Sequence, residues 1–377
     1  VVGLTLFQIL AWAGPRSFQQ AQAIAERQAA LQGIVMDQQQ VSKARKQYLL
    51  NGSSSSETAT SYYVFDNGSD KGFTIVSGDD ELPEIVGYSA HGNSENLMKT
   101  EGCAAFLKAY QKFVAAFNQG DAKARKILAE QRALKADARY QQQKIAPLLG
   151  DIAWDQLTPY NKMCPKYRGS SQSATGCVAT AMAQVMMYYQ YPKELKATIP
   201  TYTTTTNKLK VNAISKGEEY DWDNMLDSYS GGGYTEAQGQ AVGVLMRDLG
   251  KLAHATYGVN GTLCDEAKLW NTLEHDYNCN VRQLEKDRLP GGEFLQAIYQ
   301  ELSLGCPVFM TGGDHAFLYD GYDENGLVHI NWGWAGLDNG YFDINTAATA
   351  GGGYGSDGCY YENQIALFVH PNDGMIE

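Results

Sequence analysis

Apolar residues recur with a helical period across Cys177–Tyr189. Val178, Ala181, Met182, Val185, Met186 and Tyr189 fall on one face of a 3.6-residue helix, the signature of a buried helix. Thr175 stands where an N-cap belongs, and Pro192 marks the stop. Cys177 therefore lies in the first helical turn, where the positive end of the helix dipole favours a thiolate. The stretch from His315 to Trp334 carries a different rhythm. Two apolar runs, His315–Tyr322 and Leu327–Trp334, flank Asp323-Glu324-Asn325-Gly326 and predict a β-hairpin. A symmetric antiparallel register sets His315 opposite Trp334 and returns Asn331 and Trp332 to the same end. A one-residue slip would change which faces meet.

Earlier in the chain, Ser17 to Gln32 is rich in Ala, Gln and Glu and predicts a helix capped by Ser17. A Ser-rich loop at 51–60 precedes Ser61–Phe65, the turn Asp66-Asn67-Gly68 and Gly72–Ser77, a second hairpin pattern. Glu84–Ser89 continues as a strand. Cys103 to Asn118 predicts an amphipathic helix with Phe106, Leu107, Tyr110, Phe113 and Val114 on one face. Residues 121–143 are polar, basic and helical, with almost no apolar stripe late on, and read as a linker ending near Lys144. Further helices are expected at Gln238–Leu252 and Gly292–Leu302. The resulting division is an N-terminal apolar run at 1–13, a helix–antiparallel sheet–helix unit at 14–144, and a second α+β unit at 145–377. The run at 1–13 ends in an A-x-A-like site and reads as the remnant of a signal peptide.

Composition narrows the function. A chain of 377 residues with 44% hydrophobic content suits two domains with sizeable cores. A net charge of −12 argues against nucleic acid and anionic membranes as partners, since both need basic patches. Seven cysteines show no C-x-x-C spacing, which speaks against a structural zinc site. They are too sparse for a disulfide scaffold, and an odd count leaves a free thiol. The cysteines other than Cys177 read as buried core thiols. No metal and no organic cofactor are expected. The acidic runs at 79–81 and 218–219 read as solvated turns. Asn51, Asn67 and Asn260 match the three-residue glycosylation pattern, which is short enough to arise often by chance.

The candidate chemistry is carried by Cys177, then His315 far downstream, then Asn331-Trp332-Gly333-Trp334. A thiol, a later imidazole and a still later orienting group is the chain order of papain-type cysteine proteases. An imidazolium beside a thiol at a helix start lowers its pKa and supplies the proton that a leaving amine needs. The backbone N–H of Cys177 serves as one oxyanion donor, and the Gln156 amide is the candidate for the second. His329 lies mid-strand and reads as structural. Taken singly, each of these residues is as readily a core cysteine or a loop histidine; their order and spacing make the joint reading.

At these residues the sequence resembles the streptopain family of secreted bacterial cysteine proteases, including interpain-type enzymes. The matching stretches are Pro159-Tyr160-Asn161, Cys164-Pro165, Ala174–Ala181, His315-Ala316-Phe317 with Asp320-Gly321, and Asn331–Trp334. Gly72–Asp79 and Pro83–Ser89 look like that family's propeptide. The resemblance implies a papain-like catalytic domain, helical part plus antiparallel β part, preceded by an α+β propeptide with an antiparallel sheet. It implies a secreted, extracellular, monomeric zymogen that cleaves itself between about Ala138 and Ala146 and acts on extracellular proteins, with its own propeptide as intramolecular inhibitor. Cys177 is then the nucleophile, His315 the acid/base and Gln156 the oxyanion donor. Trp332 packs on the imidazole where papain uses Asn, and Asn331 is either an orienter or a plain hairpin residue. Trp334 lines the leaving-group side. Gly313 and Asp314 border the pocket, and Gly353 belongs to a glycine-rich substrate loop. Asp314 stands where the family pattern expects Gly, and the loop from Val308 to His315 is shorter than in streptopain. Two rivals remain open: another cysteine acyl-transfer enzyme, such as a transglutaminase-like or amide-hydrolysing protein, and a non-catalytic binding module on the same fold.

Overall fold

The computed structural model describes residues 14–37, 39, 41, 60–97, 101–136, 143–167, 169–289, 292–312, 315–345 and 364–372. The apolar run at 1–13, the pocket residues Gly313 and Asp314, Gly353 with its glycine-rich segment, Asn51 and Cys359 lie outside them. The chain forms two compact units, Val1–Ser94 and Glu95–Glu377.

In the first unit, helix α1 (Phe18–Leu31) starts with a reciprocal capping box: the Ser17 side chain accepts from the Gln20 N–H, and the Gln20 side chain accepts from Ser17 N–H. Such a box satisfies two of the four donors that a helix start leaves unpaired. Strands β1 (Tyr62–Asp66), β2 (Phe73–Ser77) and β3 (Ile85–Ser89) form an antiparallel meander. Ala21, Ile24, Ala25 and Ala29 of α1 bury against Tyr63, Phe65 and Val76 of the sheet. Asn67 is fully buried at the turn, its amide donating to Lys71 O and its carbonyl accepting from Thr74 Oγ1. The glycosylation pattern there meets a side chain that is packed inside.

The second unit begins with α2 (Glu101–Asn118) and α3 (Ala122–Ala136). Residues 121–143 therefore are not a bare linker. Ala124, Leu128 and Gln131 are buried, a short stripe at i, i+4 and i+7 that the surrounding Lys, Arg and Gln residues conceal in a hydropathy reading. The Gln131 amide donates to both carboxylate oxygens of Asp343 at 3.0 and 2.9 Å. The boundary near residue 144 thus marks a place along the chain rather than an edge between compact bodies.

Next come α4 (Cys177–Tyr189), α5 (Glu236–Leu252), α6 (Glu266–His275), β4 (Cys279–Glu285), α7 (Glu293–Ser303), β5 (Val308–Gly312), β6 (His315–Tyr322), β7 (Val328–Asn331), β8 (Gly340–Phe342) and β9 (Ile365–Pro371). The strands line up as β8-β7-β6-β5-β9-β4 with every pairing antiparallel. Every residue of β6 is buried, so this central strand reads as a continuous apolar run rather than an alternating one. α4 packs on β6 and on α5. Its Val178, Met182 and Val185 join Leu245, Leu249, Phe309 and Leu318 in the main core. Each such side chain contributes about 1.5–3 kcal/mol of transfer free energy, so packing outweighs helix propensity in fixing α4.

The second hairpin has the expected register on one side of a bulge only. Leu318 faces Asn331 and Tyr319 faces Ile330, whereas Tyr322 faces Val328 rather than Leu327, and the pairing ends at Asn331, short of Trp334. A bulge between Tyr319 and Gly321 takes up one residue, Asp320. The segment before His315 is short because it is itself a strand: β5 pairs with β6 up to Gly312↔His315, leaving two residues to connect them.

Candidate active site

The start of α4 is fixed by its backbone. The N-cap is Gly176, not Thr175. Gly176 has φ +90°, and a Cβ there would come within 2.7 Å of the Thr262 carbonyl oxygen. Both constraints demand glycine. Thr175 instead turns inward, its hydroxyl paired with Thr180 Oγ1 at 2.8 Å and its N–H donating to Gln156 O at 3.0 Å. That last bond seats buried Gln156 two residues from the cysteine along the α4 entry. Cys177 is the first helical residue and is half-buried. Its N–H belongs to the first turn, whose donors have no intrahelical partner.

His315 opens β6 and is 3% exposed. Its Nε2 lies 3.0 Å from the Trp332 carbonyl oxygen. A carbonyl only accepts, so the neutral imidazole carries its proton on Nε2, and Nδ1 holds the lone pair that a general base needs. Burial pushes the imidazole down to about 4, against a smaller opposing effect of the Trp332 carbonyl. At neutral pH the ring is therefore uncharged in this form of the chain.

Trp332 supplies His315 with its backbone. Its indole packs on Phe317 and Phe342, with ring centroids 5.3 and 5.5 Å away, and donates Nε1–H to Asp338 O. The ring parallel to the imidazole is that of Trp334, at 1° and 6.3 Å between centroids. The turn that presents both is tightly coiled. Gly333, Ala335, Gly336 and Asp338 all have positive φ, and Trp332 N–H donates to Asn339 Oδ1. Gly333 lies against Thr180: a Cβ there would stand 3.6 Å from the Thr180 methyl carbon. The turn that holds His315 therefore rests on the first turn of α4.

Asn331 does not orient the imidazole by any bond in the structure. Its amide donates to Ile152 O and to Gln184 Oε1, and its Oδ1 accepts from Gly333 N–H. Gln184 is the residue that sequence reasoning missed. It is fully buried two turns after Cys177, and its Oε1 accepts from both Trp154 N–H and Asn331 Nδ2. It ties the Gln156 segment, α4 and β7 together. The signal was present, an uncharged amide inside an otherwise apolar helix face. Buried polar groups are kept only when bonded.

His329 pairs with the buried Asp320 carboxylate at 2.6 Å, the structural role expected of it. The bulge turns that carboxylate so that it also accepts from Leu149 N–H. Ile145 and Tyr322 exchange two backbone bonds of 2.8 Å, so the chain just past the expected cut runs along β6.

α2 covers part of this site. Gly102 sits so close to Trp332 that a Cβ would overlap its indole, and Phe106 meets Phe342 edge-on at 5.0 Å.

The peptidase C10 family model matches residues 154–342, and the Spi protease inhibitor model matches residues 7–114. The chain belongs to the peptidase C10 family, and with it to the cysteine proteases. Streptopain of Streptococcus pyogenes is 34% identical over 338 residues, 82% of this chain and 81% of streptopain. The thiol protease/hemagglutinin PrtT of Porphyromonas gingivalis is 30% identical over 328 residues. The chain spans only 37% of PrtT's length. Among solved structures, a prointerpain A fragment of Prevotella intermedia matches with TM-score 0.67 and 29% identity over 83% of this chain and 96% of that one. Active interpain A matches with TM-score 0.52 over 61% of this chain and 96% of that one. The fold is a papain-like cysteine protease preceded by a propeptide, as the C10 motifs around Cys177 and His315 implied. The inhibitor match ends at 114, inside α2.

Proposed function

We propose that this chain is the zymogen of a secreted cysteine endopeptidase, with residues 14–144 as inhibitory propeptide and 145–377 as catalytic domain. The observation that carries the reading is Cys177 as the first residue of α4, which packs on β6, the strand that His315 opens with its Nε2–H committed to a backbone carbonyl. In the reaction, the Cys177 thiolate attacks the scissile carbonyl carbon. His315, holding the thiol proton, passes it to the leaving amine as the C–N bond breaks. The negative oxygen of the tetrahedral species takes hydrogen bonds from the Cys177 N–H and the Gln156 amide. Water, deprotonated by His315, then releases the acyl group from sulfur. Trp334 flanks the leaving-group side, and Gly313, Asp314 and Gly353 contribute to the pocket, which takes a hydrophobic side chain before the cut. Trp332 and Asn331 act through the frame that holds the imidazole.

Latency has two parts in this reading. α2 lies on Trp332, and the buried imidazole, held near 4, gives a thiolate no positive partner. The helix dipole contributes only about 0.3–1 kcal/mol, less than one pKa unit at 1.36 kcal/mol, and does not replace the imidazolium. Departure of α2 hydrates His315 and restores the ion pair. Substrates are extracellular proteins, and the enzyme works as a monomer. The test is a time course of the purified chain beside Cys177→Ala under reducing conditions, read on a gel and by casein hydrolysis. The wild type should shorten to about 26 kDa, one domain-sized remainder, and gain activity while the variant does neither. A chain freed of its propeptide that neither cleaves casein nor is alkylated at Cys177 would sink the reading.

A further inference from the structure

Away from that site, three donors from distant parts of the sequence converge. Glu301 lies in the last turn of α7, Cys306 follows the turn into β5, and His370 lies near the end of β9. One ligand atom from each lies within 4.8 Å of the others. His370 Nε2 contacts Glu301 Oε1 directly, and the Cys306 sulfur is the third atom of the set. Cys306 is 2% and Glu301 4% exposed, while the His370 side chain keeps 25% of its surface in solvent.

We propose that Glu301, Cys306 and His370 form a binding site for one zinc ion. Sulfur, imidazole nitrogen and carboxylate oxygen are zinc's own ligand types. Tetrahedral zinc with bonds of about 2.0–2.3 Å holds its donors roughly 3.5 Å apart, so the side chains need only short movements. A water would have to supply the fourth donor. The carboxylate only accepts, so a proton on Nε2 now bridges His370 and Glu301. Zinc takes that proton's place: one proton leaves His370, one leaves the Cys306 thiol, and Zn²⁺ with thiolate and carboxylate is neutral overall.

The surroundings are built. Arg282 reaches the other carboxylate oxygen, Oε2, at 3.7 Å and stacks over Phe368. It orients Glu301 as an outer partner while leaving Oε1 to the ion. The Tyr188 hydroxyl donates to Gly305 O at 2.8 Å and pins the turn that carries Cys306, and the Tyr189 hydroxyl stands beside the same sulfur. Arg282 is the nearby cation that opposes binding; the other facing groups are the two phenols. A helix end, a strand entry and a strand end meet here, so bound zinc staples α7 to β5 and β9.

The test uses Cys177→Ala, which removes a half-buried thiol as a competing ligand, stripped with a chelator and titrated with Co²⁺ as the spectroscopic probe. One equivalent should produce a thiolate-to-cobalt charge-transfer band with tetrahedral visible bands, bleached by one equivalent of Zn²⁺. Zn²⁺ should also raise the melting temperature. Adding C306S should abolish the charge-transfer band, and adding H370Q should weaken binding at least roughly tenfold. His370 is partly exposed, so H370Q, checked for folding by circular dichroism, decides the matter if C306S fails to fold. No band at ten equivalents, a band that survives C306S in folded protein, or unchanged affinity in H370Q overturns the proposal.

Discussion

Two half-hidden cysteine–histidine sets occupy the second unit, and their imidazoles differ in opposite directions. His315 is pushed down to about 4 by burial, which outweighs the opposing effect of its bond to the Trp332 carbonyl. His370 is pushed up to about 10 by its hydrogen bonds to the Cys306 thiol and the Glu301 carboxylate. Cys177 opens a helix, on the donor side of the dipole, whereas Cys306 comes after α7 has ended. The same two residue types thus become candidate chemistry in one place and a candidate metal seat in the other. His370 carries a third partner, the Glu301 carboxylate bonded to its Nε2.

The largest break in this comparison should come from the thiols themselves. Cys177→Ala should cost roughly 10⁴-fold or more in caseinolysis by the processed enzyme, while Cys306→Ala should stay within about threefold; equal losses would erase the distinction. Gly102→Val should raise the rate of iodoacetamide trapping of Cys177 in the uncut chain, because overpacking against Trp332 costs α2 about 1–3 kcal/mol, roughly 5- to 100-fold in the open population. An unchanged rate would remove α2 from the account of latency. Gln184→Leu should cost about 1–3 kcal/mol in urea unfolding by stranding Trp154 N–H and the Asn331 amide, with kcat falling alongside. A neutral result would leave the three-way tie without energetic weight. The last effect develops only on the acid side. A histidine lowered from 6.5 to about 4 on folding binds more protons when unfolded, so its contribution falls as pH drops from about 6.5 to 4. His315→Gln in the Cys177→Ala background should flatten that acid-side slope in urea titrations, and an unaltered slope would place the lowered imidazole in doubt.

Much of the site was legible because local rules and global fold agree there. The α4 face and the pairing of Leu318 with Asn331 follow from period and turn. Gly176 as N-cap was not legible, because the need for glycine comes from Thr262, far along the chain. α3 was misjudged as linker since three buried positions among charged neighbours barely raise the hydropathy. Asn331 and Gln184 are found by each other only in three dimensions. The Glu301–Cys306–His370 set escaped for the same reason: its members carry no metal-ligand spacing, and β4, α6 and β9 were not anticipated at all.

The packing of α2 and α3 on the sheet carries a kinetic corollary. While the chain is whole, the helix over Trp332 and the Gln131–Asp343 bond belong to the same molecule as the site they cover, and that tether sets an effective concentration in the millimolar range for short flexible links. A single cut past α3 converts the blocker into a separate solute. From then on, its hold is governed by dilution. Release would be rapid in a large volume and incomplete in a crowded one.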